Sequence, residues 1–93
     1  MSNAIITIDL PSVYDQRAVA RAAAEEVANL IGDQVKPWRI SVSEAATELG
    51  WLVEVKGAGN KWAMVFDADD QNVITIVAQF KLNLQPYVAS RKD

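Results

Sequence analysis

Two alternating segments flank a short turn, and this arrangement limits what the chain can fold into more than any other feature. Trp51-Leu52-Val53-Glu54-Val55-Lys56 and Lys61-Trp62-Ala63-Met64-Val65-Phe66 both carry large apolar side chains at every second position. A period of two is the signature of a half-buried strand. Gly57-Ala58-Gly59-Asn60 lies between them and is rich in residues that tolerate positive φ. The unit therefore reads as a β-hairpin with a four-residue connection, Gly57 to Asn60. That connection places Trp51 opposite Phe66, Val53 opposite Met64 and Val55 opposite Trp62. All six side chains then share one face, and a slip of one residue would turn them to the other.

The remaining elements are read around this hairpin. Residues 4–10 (AIITIDL) are β-branched and alternate, with Ile6, Ile8 and Leu10 on one face. Ser12 and Asp15 have the spacing of a capping box, and residues 12–31 read as a helix. Its Ala block has the best helix propensity. Its stripe Val19, Ala23, Val27, Leu30, Ile31 has helical spacing, and Gly32 stands where a left-handed C-terminal residue is wanted. Trp38, Ile40 and Val42 mark one face of a further strand. Residues 43–50 read either as one or two helical turns or as a strand end followed by a loop. Asp67 to Asn72 reads as a polar turn. Residues 73–82 read as a long final strand, with Ile74, Ile76, Ala78, Phe80 and Leu82 together. Residues 38–82 thus form the antiparallel strands, and 83–93 form a frayed tail.

The expected architecture is α+β. One long Ala-rich helix packs on a four- or five-stranded antiparallel sheet. The 93 residues make one domain, 1–93, and 51% of them are hydrophobic, which excludes a disordered chain. No run of about 18 apolar residues occurs, so no helical membrane span is expected.

Missing residue types narrow the chemistry. There is no Cys and no His. Disulfides, thiolate metal sites and Ser-His or Cys-His nucleophile systems cannot be built. The commonest zinc ligand is absent as well. Acid–base chemistry without His needs a buried carboxylate or Lys, and none is evident, so the chain is read as non-enzymatic. The acidic turn around Asp67, Asp69 and Asp70 lacks the Gly and Glu of a calcium loop, with Asn72 and Ala78 in their places. Gly57 to Lys61 precedes a strand, whereas a phosphate loop opens a helix. No catalytic residue, cofactor or metal is assigned. The net charge of −3 and the pI of about 4.8 argue against nucleic acid as a partner. No segment reads as a secretion signal, which gives a cytoplasmic expectation.

Trp51 and Trp62 point inward by the hairpin register and read as core. Trp38, directly after Pro37, is left open between core packing and ligand stacking. The outer sheet face is then expected to carry Leu52, Glu54, Val65, Val73, Thr75, Val77 and Gln79. Leu52, Val65, Val73 and Val77 would form an apolar strip of the kind that marks interfaces. The strip reads equally as a surface covered by the first strand, by residues 43–50 or by the tail. As an interface it predicts a homodimer or a docked protein partner.

The order of features carries a resemblance. An Ala-rich helix ends near Leu30-Ile31-Gly32, and Gly50-Trp51 opens a strand reading Val53-Glu54-Val55. A strand from Trp62 to Phe66 ends in Asp67, and a polar turn leads to a last strand and a basic end, Arg91-Lys92. This arrangement, over roughly residues 18 to 92, resembles the accessory gas-vesicle protein O family, whose members place Gly-Trp before a Val-Glu-Val strand. The family's acidic-basic-Pro segment after that strand is missing here. The resemblance implies a non-catalytic assembly factor.

The functional expectation is a small protein–protein interaction or assembly module. The alternative is a phage or mobile-element regulator or inhibitor, acting on nucleic acid or on a nucleic-acid-binding protein. It rests on the Ser43 to Gly50 segment; Ile40 to Gly50 resembles the opening of an excisionase or MerR-like helix-turn-helix.

Overall fold

The computed structural model describes residues 4–10, 16–32, 36–45 and 50–85. The elements run β1 (Ile5–Asp9), α1 (Gln16–Ile31), β2 (Arg39–Glu44), β3 (Trp51–Gly57), β4 (Asn60–Phe66), a 3-10 turn (Ala68–Asp70) and α2 (Val73–Asn83). The strands form one sheet in the order β1-β2-β3-β4. The α+β class is as expected, but the sheet is mixed and the described residues form two α-helices.

The hairpin has the expected register: Trp51 faces Phe66, Val53 faces Met64 and Val55 faces Trp62. The turn is tighter than four residues, because Gly57 and Asn60 also pair. Only Ala58 and Gly59 lie between them, with φ of 54° and 78°. Positive φ at both central residues is what a type I′ turn requires, and its twist matches that of the flanking strands.

The first strand corrects the purely antiparallel expectation. β1 pairs parallel with β2, with Ile6 beside Ile40 and Ile8 beside Val42. A helix of 16 residues joins the two, and it runs about 24 Å. That length carries the chain back to the end of the sheet from which β1 started, so β2 must run in the same direction. The Nη1 group of Arg17 donates to the Leu10 carbonyl at 2.7 Å, tying the helix start to the end of β1. At its other end Gly32 has φ of 74° and donates to the Ala28 carbonyl, the expected left-handed cap. The buried face is Ala20, Ala23, Ala24, Val27, Ala28 and Ile31. Val19, expected in the stripe, lies at its exposed margin. The Ser12–Asp15 capping box and residues 46–49 fall outside the described residues.

The second correction is larger. Residues 73–82 do not form a strand; Val73–Asn83 is α2. The β-branched run Val73-Ile74-Thr75-Ile76-Val77 favours a strand locally. The same residues also satisfy helical spacing, with Val73, Ile76, Val77, Phe80 and Leu84 on one side. Asn72 caps this helix: its Oδ1 accepts from the Thr75 N–H at 2.8 Å. Leu84 N–H donates back to the Phe80 carbonyl at 2.8 Å. Packing decides between the two patterns. α1 lies against β1 and β2, and α2 lies beside α1 and brings Phe80 to within 6.2 Å of the Phe66 ring. A fifth strand would extend the sheet and leave the apolar face of β3 and β4 in water. Burying Ile76, Phe80 and Leu84 as a helix instead is worth about 1.5–3 kcal/mol per side chain.

Both helices therefore cover one face, in a single core with Trp38, Ile40, Val42, Trp51, Val53, Val55 and Phe66. Trp38 is buried and stacks on Trp62, which settles its open assignment as core. No polar or charged residue is buried among the described residues.

Candidate functional site: the outer face of the sheet

The face away from the helices carries the alternate residues of all four strands. Register arranges them in three cross-strand rows. The first is Ile5, Arg39, Lys56 and Lys61; the second is Thr7, Ser41, Glu54 and Ala63; the third is Asp9, Ser43, Leu52 and Val65. The edge strands leave their residues in this set exposed; on the central strands Ser41, Ser43, Leu52 and Glu54 are half-buried, while Arg39 and Lys56 are exposed. No described element lies over this face.

Of the expected apolar strip, Leu52 and Val65 hold their places as a directly opposed cross-strand pair. Val65 is 53% exposed, much for a valine in a sheet. Val73 and Val77 do not join them. Both belong to α2, half-buried against the core on the opposite side of the sheet. The four residues were grouped by a period of two that α2 does not have. Thr75 and Gln79 leave the outer face for the same reason.

A feature that the hydrophobic pattern does not reveal stands beside this pair. Arg39, Lys56 and Lys61 occupy successive positions on three neighbouring strands. Like charges directly opposed in a sheet repel. Lys61 reaches diagonally to Glu54, with Nζ to Oε2 at 3.1 Å. Among the described residues Arg39 and Lys56 have no carboxylate partner. The row was hidden because its three members are separated in sequence by a loop and a turn; knowing the β2–β3 register would have shown it.

The strand ends are charged in opposite senses. Arg39, Lys56 and Lys61 lie at the end where β2 and β4 begin. Asp9, Glu44 and Asp67 lie at the end where β1, β2 and β4 finish. Asp67 leads into the 3-10 turn, where its carbonyl accepts from the Asp70 N–H at 2.8 Å. Asp69 and Asp70 are exposed there. Among the described residues no three acidic side chains gather closely enough to hold a metal ion. Gly50 runs directly into β3 and Ile40 to Glu44 is strand, so the helix-turn-helix resemblance finds neither of its flanks helical. Ala45 N–H donates to the Gly50 carbonyl at 2.9 Å. No helix among the described residues is long and apolar enough to cross a membrane.

No protein-family model matches the chain, and no curated protein matches it at a significant level.

Proposed function

We propose that this chain is a non-enzymatic protein-binding or assembly module whose contact surface is the outer face of the sheet, centred on Leu52 and Val65. The observation that carries the reading is a four-stranded sheet that, among the described residues, is covered by helices on one face and carries an exposed cross-strand apolar pair on the other. Such a surface gains by being covered, at about 25 cal/mol for each Å² of apolar area removed from water. The hydroxyl row of Thr7 and Ser41 keeps the face soluble while a partner is absent. The resemblance to accessory gas-vesicle protein O points to an assembly role beside a shell-forming protein in the cytoplasm.

The experiment is affinity capture from the source cell, with wild type, Leu52→Asp and Val65→Asp as parallel baits. A protein held by wild type and lost on both variants, with unchanged circular dichroism, supports the reading. The same proteins on all three baits would overturn it, and so would unfolding of both variants, which would make the pair structural.

The row of Arg39, Lys56 and Lys61 favours a second reading, a regulator that contacts nucleic-acid phosphates. Its mark would be binding to duplex DNA that weakens steeply with added salt and is lost on Lys56→Glu. Absence of binding at low salt removes it.

A further inference from the structure

Among the described residues β4 has an unpaired edge, which points to a partner for a different part of the sheet. β4 is the last strand in the order and has seven residues. Natural edge strands are blunted by Pro, bulges, short length or several charges. β4 has no Pro, and its register with β3 is unbroken from Gly57–Asn60 to Trp51–Phe66. Its central run Trp62-Ala63-Met64-Val65-Phe66 carries no charge. It is a strand ready to pair.

The hairpin turn shows which backbone groups are free. In a two-residue type I′ hairpin the residues flanking the turn exchange both of their hydrogen bonds, and bonded pairs alternate with unbonded ones from there. Gly57–Asn60, Val55–Trp62, Val53–Met64 and Trp51–Phe66 are then the bonded pairs. The N–H and C=O groups of Lys61, Ala63 and Val65 point away from β3, and no described strand lies beyond them.

We propose that two copies of this chain pair antiparallel through β4, with the two-fold axis at Met64, to give one continuous eight-stranded sheet. This register sets Ala63 opposite the second copy's Val65, so the free backbone groups of both find partners. It sets Trp62 opposite Phe66 of the second copy, on the inner face. It sets Lys61 opposite the second copy's Asp67, twice by symmetry. Moving the axis to Ala63 keeps the backbone in phase but places Lys61 against Val65, a cation against an apolar side chain. Charge complementarity therefore selects the Met64 axis. Lys61 is 56% exposed and uses one Nζ contact, to Glu54, so it retains donors for a second carboxylate. A groove lined by Met64, Val65, Phe66, Asp70, Thr75 and Gln79 runs beside this edge of β4.

The pairing goes beyond the outer-face reading and does not depend on it. It also enlarges that face: Leu52 and Val65 of one copy line up with Ala63 of the other, and the reverse by symmetry, in a single apolar strip.

The chain has no Cys, so single cysteines report the register cleanly. Met64→Cys is expected to form a disulfide-linked dimer on mild oxidation, because symmetric residues on the axis approach within the reach of a disulfide. Ala63→Cys is expected to stay unlinked, since each copy lies a diagonal step from the other. Linking of Ala63→Cys instead would overturn the register. Wild type is expected to sediment as a dimer, and Asp67→Lys to weaken it by at least about tenfold. Lys61→Asp with Asp67→Lys should restore it. A wild-type monomer at all concentrations, with Met64→Cys unlinked, overturns the proposal and leaves the edge to a foreign strand. The outer-face variant Leu52→Asp lies on β3 and should leave the dimer intact, so the two readings fail separately.

Discussion

Trp38 and Trp62 stack face to face across β3, with ring centroids 5.6 Å apart and planes 11° from parallel. The contact exists because Gly57, between them on β3, has no side chain. A Cβ built there would lie 2.0 Å from Cδ2 of Trp38. One glycine thus lets an indole lie flat on the sheet and reach a strand two places away.

Gly57→Ala should therefore displace the Trp38 ring and cost about 1–3 kcal/mol, as overpacking does. Urea unfolding followed by tryptophan fluorescence measures it. Adding Trp38→Ala should make the pair cost less than the sum of the singles, because the clash then has no object.

The helical state of residues 73–83 makes a sharp contrast between near neighbours. Ile74 is 83% exposed and Ile76 is 1% exposed. Ile74→Asp should change stability by no more than about 0.5 kcal/mol. Ile76→Asp should unfold the domain or leave it close to unfolding. A strand would place both on one face and give both substitutions the same cost. Thermal melts of the two variants separate the alternatives.

Asn72 holds the start of α2 through its hydrogen bond to the Thr75 N–H. Asn72→Ala should cost about 0.5–2 kcal/mol, and Asn72→Asp should retain most of the stability. Denaturant midpoints with an unchanged m-value would confirm a local effect.

Ala58 is the one described non-glycine residue with positive φ, at 54°. That conformation costs an alanine about 1–2 kcal/mol. Asn tolerates it, and Asn-Gly is a favoured type I′ pair. Ala58→Asn should raise the melting temperature, and a lowered one would show that the turn has another geometry.

The small residues of α1 make the opposite test. Ala20, Ala23 and Ala24 are buried to 1% exposure or less, so the helix sits close to its neighbours. Ala24→Leu should lose about 1–3 kcal/mol through overpacking, although leucine is a good helix former. Calorimetry of this variant decides between propensity and packing.

Much of this fold is legible in the sequence, for identifiable reasons. β3 and β4 are adjacent, alternate cleanly and share a two-residue turn, so local information suffices for their register. Gly32 announces the end of α1 because a left-handed cap suits few other residues. The 73–82 segment was not legible, since its apolar residues satisfy a period of two and a helical period at once. Its β-branched composition tilts the reading to strand. Asn72 was the signal for a helix start, concealed within a polar turn. The apolar strip was half right for the same cause. Leu52 and Val65 sit in a register that local sequence defines, whereas Val73 and Val77 depended on the disputed element.

By itself the sequence determined the residues that must leave water: the alternate large side chains of β2, β3 and β4 and the Ala-lined face of α1. It also determined the chemistry unavailable to a chain without His and Cys. Only the tertiary structure decided how the buried face is closed. α1 lies mainly against β1 and β2, so the rest of that face draws residues 73–83 into a helix against their local preference. Among the described residues the same closure leaves the other face uncovered, aligns Arg39, Lys56 and Lys61 from three separate segments and makes β4 an edge. No local pattern encodes these relationships, because they arise between strands that meet only once the core has formed.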